Sequence, residues 1–375
     1  MRRRAPGAVL VVLLVAAAGC GSGGRRTTPT APQPGPPQVA TPELTVRQLV
    51  GQHLVVPIAG RTIPAVLTAR IRRGEVAGVV LFARNVGTTA QVRAMADRLQ
   101  AIRQPAAVRA PLLLMVDQEG GEVKRLPGAP RRSPPEIAAT GDPGTALAEG
   151  KATAATLRAA GMNVDLAPVL DVPREGGALA AEGRGFGTSP AQVAVYGTRF
   201  ARGLRRGGVA ATAKHFPGFG AAEVNTDAAA VRIDAPASEL RRIDQAPFRW
   251  AIDAGVDLVM LSSAVYPGLD PRPAVLSRRI ATGELRDRLG FRGVSISDDL
   301  QTPAFGAWGG SPGAAVRATR AGVDLLLFAQ TYDGATVAAA AVEDAIRRGS
   351  LSRRALEASG ERVRRLRTSL AGPRA

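Results

Sequence analysis

Eight short apolar runs recur along the chain, separated by longer stretches rich in Ala, Arg and Leu. The runs occupy residues 53–58, 76–83, 111–117, 162–169, 209–216, 256–263, 292–299 and 323–330. Most of them are continuously apolar, as in "PLLLMVD" and "VDLVMLSS", rather than alternating between apolar and polar positions. Such strands are buried on both faces, which is typical of a parallel sheet covered by helices. The pattern therefore predicts alternating strands and helices from about residue 45 onward.

Eight strand–helix units in this length of chain fit a single (β/α)8 TIM barrel, an α/β fold, over residues 45–375. An open doubly wound sheet is the alternative arrangement of the same elements. It is disfavoured because no Gly-x-Gly-x-x-Gly sequence opens a helix after an early strand. We therefore expect one barrel, with functional residues at the carboxyl ends of its strands.

The first 44 residues have a different composition. Three arginines precede a short apolar run from Ala8 to Ala18, which predicts an export signal over residues 1–19. Cys20, the only cysteine, follows "AAG" and resembles the lipidated cysteine of bacterial lipoproteins; an ordinary cleaved signal with an unrelated cysteine is the alternative. Residues 20–44 are rich in Pro, Gly, Ser and Thr and predict a tether. We expect an exported protein that a lipid anchor holds at the outer face of the cytoplasmic membrane or in the cell envelope.

The formal net charge of +18 raises the question of a nucleic-acid partner. Only three of the 49 basic residues are lysine, which indicates a genome-wide base bias rather than a selected binding surface. Aromatic residues make up 4% of the chain and do not alternate with the basic ones, so a stacking platform for single strands is not evident. We expect no nucleic-acid partner.

Polar residues close several of the predicted strands. Asp117 ends the third run, Lys214 and His215 the fifth, Ser262 and Ser263 the sixth, and Asp298 and Asp299 the seventh. Because the carboxyl ends of barrel strands meet at one rim, this grouping predicts a functional site there. A single terminal aspartate could instead cap the following helix.

Five motifs in order give a specific resemblance: "VDQEGGEVKRL", "APVLDV", "GRGFG", "KHFPGFG" and "SDDL". Together they resemble the single-barrel β-N-acetylglucosaminidases of glycoside hydrolase family 3, which act in bacterial cell-wall turnover. The resemblance implies a retaining glycosidase that needs no cofactor and takes a glycan or muropeptide as substrate. It also implies that Asp298 is the nucleophile. The implied sugar-binding residues are Asp117, Arg125, Arg184, Lys214 and His215, although Asp117 and Arg125 could instead form an internal ion pair.

The acid/base position departs from the family pattern. Where the family has Asp-Ser-His, this chain has Asn225, Thr226 and Asp227, so both members of the Asp-His dyad are changed. In one hypothesis Asp227, or else Glu223, supplies a carboxylic acid and the protein remains a hydrolase. In the other, the barrel survives as a catalytically impaired sugar-binding lipoprotein. No cluster of His, Cys and acidic residues has metal-ligand spacing, so we expect no metal.

Overall fold

The structure, a computed structural model, describes residues 43–371 of the chain. The predicted export signal, Cys20 and nearly all of the predicted tether lie outside these residues. In the part that is described, no helix combines the length and the apolar character needed to cross a membrane.

Eight parallel strands form one sheet, and each predicted apolar run contains one of them. The order around the sheet is β7-β6-β5-β4-β3-β2-β1-β8. An isolated parallel bridge between Ile296 and Leu325 joins the two end strands, so the sheet closes on itself. The predicted TIM barrel is confirmed. The strands are β1 Leu54–Pro57, β2 Gly78–Leu81, β3 Leu113–Val116, β4 Val164–Asp165, β5 Ala210–Phe216, β6 Leu258–Leu261, β7 Val294–Ser297 and β8 Leu326–Leu327.

Helices surround the barrel, and several begin with a side-chain cap. Thr45 caps the first helix, and Asp142 and Ser189 cap two long ones that each have Pro at the next position. The α-helices are α1 Val46–Gly51, α2 Ala65–Arg72, α3 Thr89–Gln100, α4 Pro134–Ala139, α5 Pro143–Ala159, α6 Ala178–Ala181, α7 Pro190–Arg206, α8 Ala237–Glu239, α9 Ala246–Asp253, α10 Gly310–Ala321, α11 Tyr332–Arg347 and α12 Arg353–Ser369. A π-helical segment, Arg279–Arg288, stands between β6 and β7.

The apolar core has two parts because successive strand residues point to opposite faces. Val55, Val80 and Met115 belong to a cluster inside the barrel. Their neighbours Val56 and Val79 belong to a larger cluster between the sheet and the helices. Since both faces of the sheet are apolar and buried, polar groups are left to the two ends of the barrel.

At the amino-terminal ends of the strands, Asp324 joins the last helix to the barrel. Its carboxylate accepts hydrogen bonds from Ser359 at 2.6 Å and from Arg362 at 2.6 Å, both on α12. It also pairs with Arg286, and it accepts the backbone N–H of Ser295 at 2.9 Å. Asp324 is fully buried. Burial opposes its ionisation, but the two arginines outweigh that effect and hold the pKa of Asp324 below its ordinary value.

Replacing Asp324 with alanine should lower the free energy of unfolding by about 3–5 kcal/mol, because two partly buried arginines lose their counter-charge. Denaturant unfolding near neutral pH measures this loss. The control is Asp344→Ala, which removes an exposed partner of Arg347 and should cost less than about 1 kcal/mol. Because the folded-state pKa of Asp324 is depressed, its contribution should disappear as the pH falls through that pKa. Equal losses in the two variants would contradict this assignment.

Candidate active site

A cavity of about 640 Å³ lies at the carboxyl ends of the strands. Seven of the eight predicted catalytic and sugar-binding residues line it: Asp117, Arg125, Arg184, Lys214, His215, Asp227 and Asp298. Lys214 and His215 belong to β5, and the other five lie in the connections that follow β3, β4, β5 and β7. The structure does not bring Glu223 to this cavity; its side chain is exposed on the loop after β5. The other candidate for the acid/base, Asp227, does reach the cavity wall.

Lys214 is the centre of a buried charge cluster. It belongs to β5, and its Nζ lies 2.7 Å from Asp117 Oδ1 and 2.6 Å from Glu119 Oε1. The second carboxylate is shared, because Arg184 Nε and Nη2 each donate to Glu119 at 2.9 Å. Arg184 also donates to Glu182 at 2.8 Å. The cluster therefore links three parts of the chain in one hydrogen-bonded unit: the strand β5, the loop after β3 and the loop before α7.

Mutual attraction keeps this cluster charged despite its burial. Burial alone would raise the pKa of Glu119, but Lys214 and Arg184 lower it to about 2. Burial would likewise lower the pKa of Lys214, yet Asp117 and Glu119 raise it above its ordinary value. The site therefore presents fixed charges at neutral pH. Such preorganised donors and acceptors bind polar groups with little rearrangement.

Arg125 contributes a guanidinium group without a carboxylate partner among residues 43–371. The possible internal pair between Asp117 and Arg125 does not form, because Asp117 pairs with Lys214 instead. The loop is held by Gln118, whose Oε1 accepts the backbone N–H of Arg125 at 3.0 Å and that of Leu126 at 2.9 Å. The side chain of Arg125 remains available to a ligand.

His215 is fixed by Asp171, a residue that lies in the loop after β4. Asp171 Oδ2 lies 2.8 Å from His215 Nδ1. The same carboxylate accepts the backbone N–H of His215 at 3.1 Å and that of Phe219 at 2.6 Å. Asp171 is fully buried. It therefore fixes the histidine ring and the start of the following loop together.

The two adjacent aspartates after β7 have different surroundings. Asp298 is half-buried, lines the cavity and anchors its own backbone N–H on Leu261 at 3.1 Å. Asp299 is buried and accepts the backbone N–H groups of Gln301 and Ala329, both at 3.0 Å. Burial raises the pKa of Asp299 to about 6. Asp299 thus supports the two neighbouring loops through their backbone.

Asp227 lies on the exposed loop after β5. Its backbone N–H donates to Asn225 Oδ1 at 3.1 Å, which makes a local turn. Partial burial, followed by the nearby carboxylate of Asp298, raises the pKa of Asp227, while His215 and Arg184 act in the opposite direction. Asp227 lines the same cavity as Asp298.

Three functional residues were not singled out from the sequence: Glu119, Asp171 and Glu182. Glu119 and Asp171 belong to the quoted motifs "VDQEGGEVKRL" and "APVLDV", so the motifs were the available signal. Their roles depend on contacts with residues 44–95 positions away in the chain. No local pattern reports such contacts. Of the two serines that close the sixth run, Ser262 lines the cavity, whereas Ser263 is buried and does not.

Replacing Asp171 with asparagine should lower the free energy of unfolding by about 1.5–3 kcal/mol, since an amide replaces a buried charge that accepts several hydrogen bonds. It should also weaken sugar binding, measured by calorimetry, because His215 loses its fixed orientation. Asp234→Asn is the matched control, since Asp234 pairs with Arg232 on the surface. The control should change neither quantity appreciably. Unchanged sugar affinity in the Asp171 variant would refute the role given to this carboxylate.

Comparison with known proteins identifies the family of this chain. The family model "Glycosyl hydrolase family 3 N terminal domain" matches residues 45–366. An uncharacterized secreted glycosyl hydrolase of Arthroderma benhamiae is 39% identical over 344 residues, covering 88% of this chain and 96% of its own. A β-hexosaminidase of Stenotrophomonas maltophilia is 39% identical over 282 residues, covering 73% of this chain and 82% of its own.

Solved structures show the same barrel. A family 3 β-N-acetylglucosaminidase from Paenibacillus has a TM-score of 0.83 and 34% identity over 88% of this chain, which spans 63% of that longer chain. A β-N-acetylhexosaminidase from Beutenbergia cavernae has a TM-score of 0.76 and 32% identity over 87% of this chain and 98% of its own. The chain belongs to glycosyl hydrolase family 3 and is a glycosidase of the β-hexosaminidase type.

Proposed function

We propose that this protein releases terminal, non-reducing β-linked N-acetylglucosamine, or a related β-linked sugar, from cell-wall-derived glycans. The observation that carries the proposal is the presence of two carboxyl groups in one cavity, those of Asp298 directly after β7 and of Asp227 in the loop after β5. The names of the related β-hexosaminidases support the sugar class. A pair of carboxyl groups flanking the scissile bond is the usual equipment of glycosidases.

The sugar is held by the fixed charges of the cavity. In the proposed complex, Asp117 accepts hydrogen bonds from sugar hydroxyl groups, while Lys214 and Arg184 donate to sugar oxygens. Arg125 supplies further donors, because no carboxylate in residues 43–371 engages it. His215 presents its Nε2 to the ligand, since its Nδ1 is bonded to Asp171. The cavity is lined by both acidic and basic groups, which suits sugar hydroxyl groups because each hydroxyl both donates and accepts hydrogen bonds.

Asp298 is the proposed nucleophile. Its carboxylate attacks the anomeric carbon, the bond to the leaving oxygen breaks, and a covalent glycosyl–enzyme forms. Water then displaces the sugar from Asp298, so two inversions retain the anomeric configuration. Anchoring of the Asp298 backbone on Leu261 of β6 holds the nucleophile at the rim of the barrel. Such positioning lowers the entropic part of the barrier.

Asp227 is the proposed acid/base. Its pKa is raised by partial burial and by Asp298, so a larger share of it holds the proton that the leaving oxygen needs. After leaving-group departure the Asp227 carboxylate takes a proton from the attacking water. In the family this proton transfer belongs to an Asp-His dyad. In this sequence Asn225 and Asp227 occupy the two positions of that dyad. Glu223 is not needed, because it is exposed and does not line the cavity.

A sugar-binding protein with impaired catalysis is the second candidate function. The observation that favours it is the exposure of Asp227, since a solvated carboxylate is a weaker acid catalyst than a buried one. In that case the charge cluster would bind the sugar and only substrates with good leaving groups would react. The two functions predict different kinetics for natural and activated substrates.

The proposed setting is the cell envelope. One related glycosyl hydrolase is described as secreted, which supports export. Lipidation of Cys20 and action on muropeptides remain proposals that follow from the amino-terminal sequence and from the family resemblance. Mass spectrometry of the membrane fraction tests the lipid on Cys20 directly.

The catalytic proposal predicts distinct losses in two variants. Asp298→Ala should abolish turnover of both an aryl N-acetylglucosaminide with a good leaving group and a natural cell-wall disaccharide. Asp227→Ala should reduce kcat/KM for the natural substrate by about 100- to 10,000-fold, and much less for the aryl substrate, whose leaving group needs no proton. Steady-state kinetics with both substrates measures the difference, and Glu223→Ala serves as the control that should retain activity. If wild type binds the sugar but does not turn over the natural substrate, and reacts at most with the aryl substrate, the sugar-binding function is correct.

The pH dependence should report a carboxylic acid. Asp227 must be protonated to donate, so kcat/KM for the natural substrate should fall as the pH rises through the pKa of Asp227, which is raised but still that of a carboxyl group. Replacing Asn225, Thr226 and Asp227 with Asp, Ser and His restores the dyad of the family and should move this basic limb toward neutral pH. An unchanged basic limb in Asp227→Ala and in the triple variant would exclude Asp227 as the acid.

A further inference from the structure

The end of the barrel opposite the active site is rich in arginine and poor in carboxylates. We call that end the base. For each of the strands β2–β8, it comprises the last four residues of the helix or π-helical segment before the strand and the residues that connect this segment to the strand. Thirteen arginines lie in these segments: Arg70, Arg72, Arg73, Arg98, Arg103, Arg109, Arg158, Arg205, Arg206, Arg286, Arg288, Arg292 and Arg320. Six carboxylates accompany them: Glu75, Asp97, Asp253, Asp257, Asp287 and Asp324. A base bias of the genome explains the number of arginines but not this placement.

Most of the carboxylates at the base are already neutralised. Glu75, Asp97, Asp257 and Asp324 each form an ion pair with an arginine. Eight exposed arginines have no ion pair within residues 43–371: Arg72, Arg98, Arg103, Arg109, Arg158, Arg206, Arg292 and Arg320. Attraction to the carboxyl ends of helices accounts for cations in a last helical turn. It does not account for Arg103, Arg109 and Arg292, which lie beyond the helices.

Three of these arginines surround one cleft. Arg103, Arg109 and Arg158 line a cavity of about 1180 Å³ that opens at the base between α3, α5 and the start of β3. Arg158 donates to the backbone oxygen of Gly207, and the other two make no side-chain hydrogen bond to residues 43–371. Guanidinium groups bind phosphate oxygens through paired hydrogen bonds. The cleft is therefore suited to a phosphate-bearing group.

The chain also enters the described fold at the base. Glu43 and Leu44 contact Arg353 at the start of α12, with distances of 2.9 and 2.6 Å. In and after α1, Gln48 and Gln52 donate to the backbone oxygens of Arg73 and Gly74, which connect α2 to β2. The 42 residues that precede Glu43, with the apolar run and Cys20, therefore join the barrel on its arginine-rich end.

We propose that the base is an electrostatic docking face for an anionic lipid surface, with the cleft at Arg103, Arg109 and Arg158 receiving lipid phosphate. Docking there points the active-site cavity away from the membrane, because that cavity lies at the opposite ends of the same parallel strands. Two features select a lipid surface over a soluble polyanion: the position where the preceding chain joins the fold, and the spread of unpaired arginines over six of the seven connections. The inference depends neither on turnover nor on lipidation of Cys20.

The test is vesicle co-sedimentation of the full chain carrying Cys20→Ser, so that no lipid can be attached. Vesicles of phosphatidylcholine with phosphatidylglycerol are compared with vesicles of phosphatidylcholine alone. Binding to the second kind measures any contribution of the apolar run from Ala8 to Ala18. Binding to the anionic vesicles should be tighter and should weaken with salt. The triple variant Arg103→Gln, Arg109→Gln, Arg158→Gln should lose about a hundredfold in affinity for them.

The matched control is Arg199→Gln, Arg202→Gln, Arg249→Gln, which removes the same charge from exposed positions on α7 and α9. It should bind anionic vesicles far more tightly than the cleft variant. Circular dichroism and hydrolysis of the aryl substrate check that all variants fold alike. If the wild type does not hydrolyse this substrate, the vesicle result can still be interpreted. Equal binding by the two triple variants, or no preference for anionic vesicles, overturns the proposal. Retention of polyphosphate or duplex DNA without vesicle binding overturns it in favour of a soluble polyanion.

Discussion

Burial of a closed parallel sheet on both faces is the constraint from which the rest of this structure follows. Every strand packs against side chains inside the barrel and against helices outside it. Charged groups are consequently excluded from most of each strand and collect at the two ends. One end holds the cavity with its paired acidic and basic side chains, and the other holds the unpaired arginines. The burial of the sheet thus leaves a site with both acidic and basic side chains at one end of the barrel and a positively charged surface at the other.

Lys214 is the exception that shows how strong the constraint is. It lies within a strand and is almost fully buried, with two carboxylates in direct contact. Removing one partner of such a group costs more than the pair contributes, because the remaining charge stays in a poorly polarisable environment. The members of the cluster therefore depend on one another. Their value to a glycosidase is geometric, since charges that are already fixed need not reorganise when a sugar binds.

The barrel and most of its cavity could be predicted from the sequence because both depend on local signals. Continuous apolar runs mark buried strands, and the polar residues that close them mark one rim. The partners of those residues could not be predicted in this way. Lys214 on β5 meets Asp117 and Glu119, which follow β3, two strands away in the sheet, and His215 meets Asp171, which follows the neighbouring β4. Pairing of this kind is set by the order of the strands in the sheet. The sequence also left open whether Asp227 or Glu223 is the acid/base. Both lie on one loop, and the path of a loop cannot be predicted from hydrophobic periodicity.

The two carboxyl groups proposed for the reaction stand on supports of different rigidity. Asp298 follows a buried strand whose backbone is fixed on both sides, whereas Asp227 is carried by a turn held through the side chain of Asn225. A change in the turn leaves the barrel intact, while a change beside Asp298 disturbs its packing. The acid and the nucleophile are therefore subject to unequal mutational tolerance. In a lineage of such enzymes, the proton-transfer group can be exchanged for another chemical type while the carboxylate that forms the covalent bond stays the same.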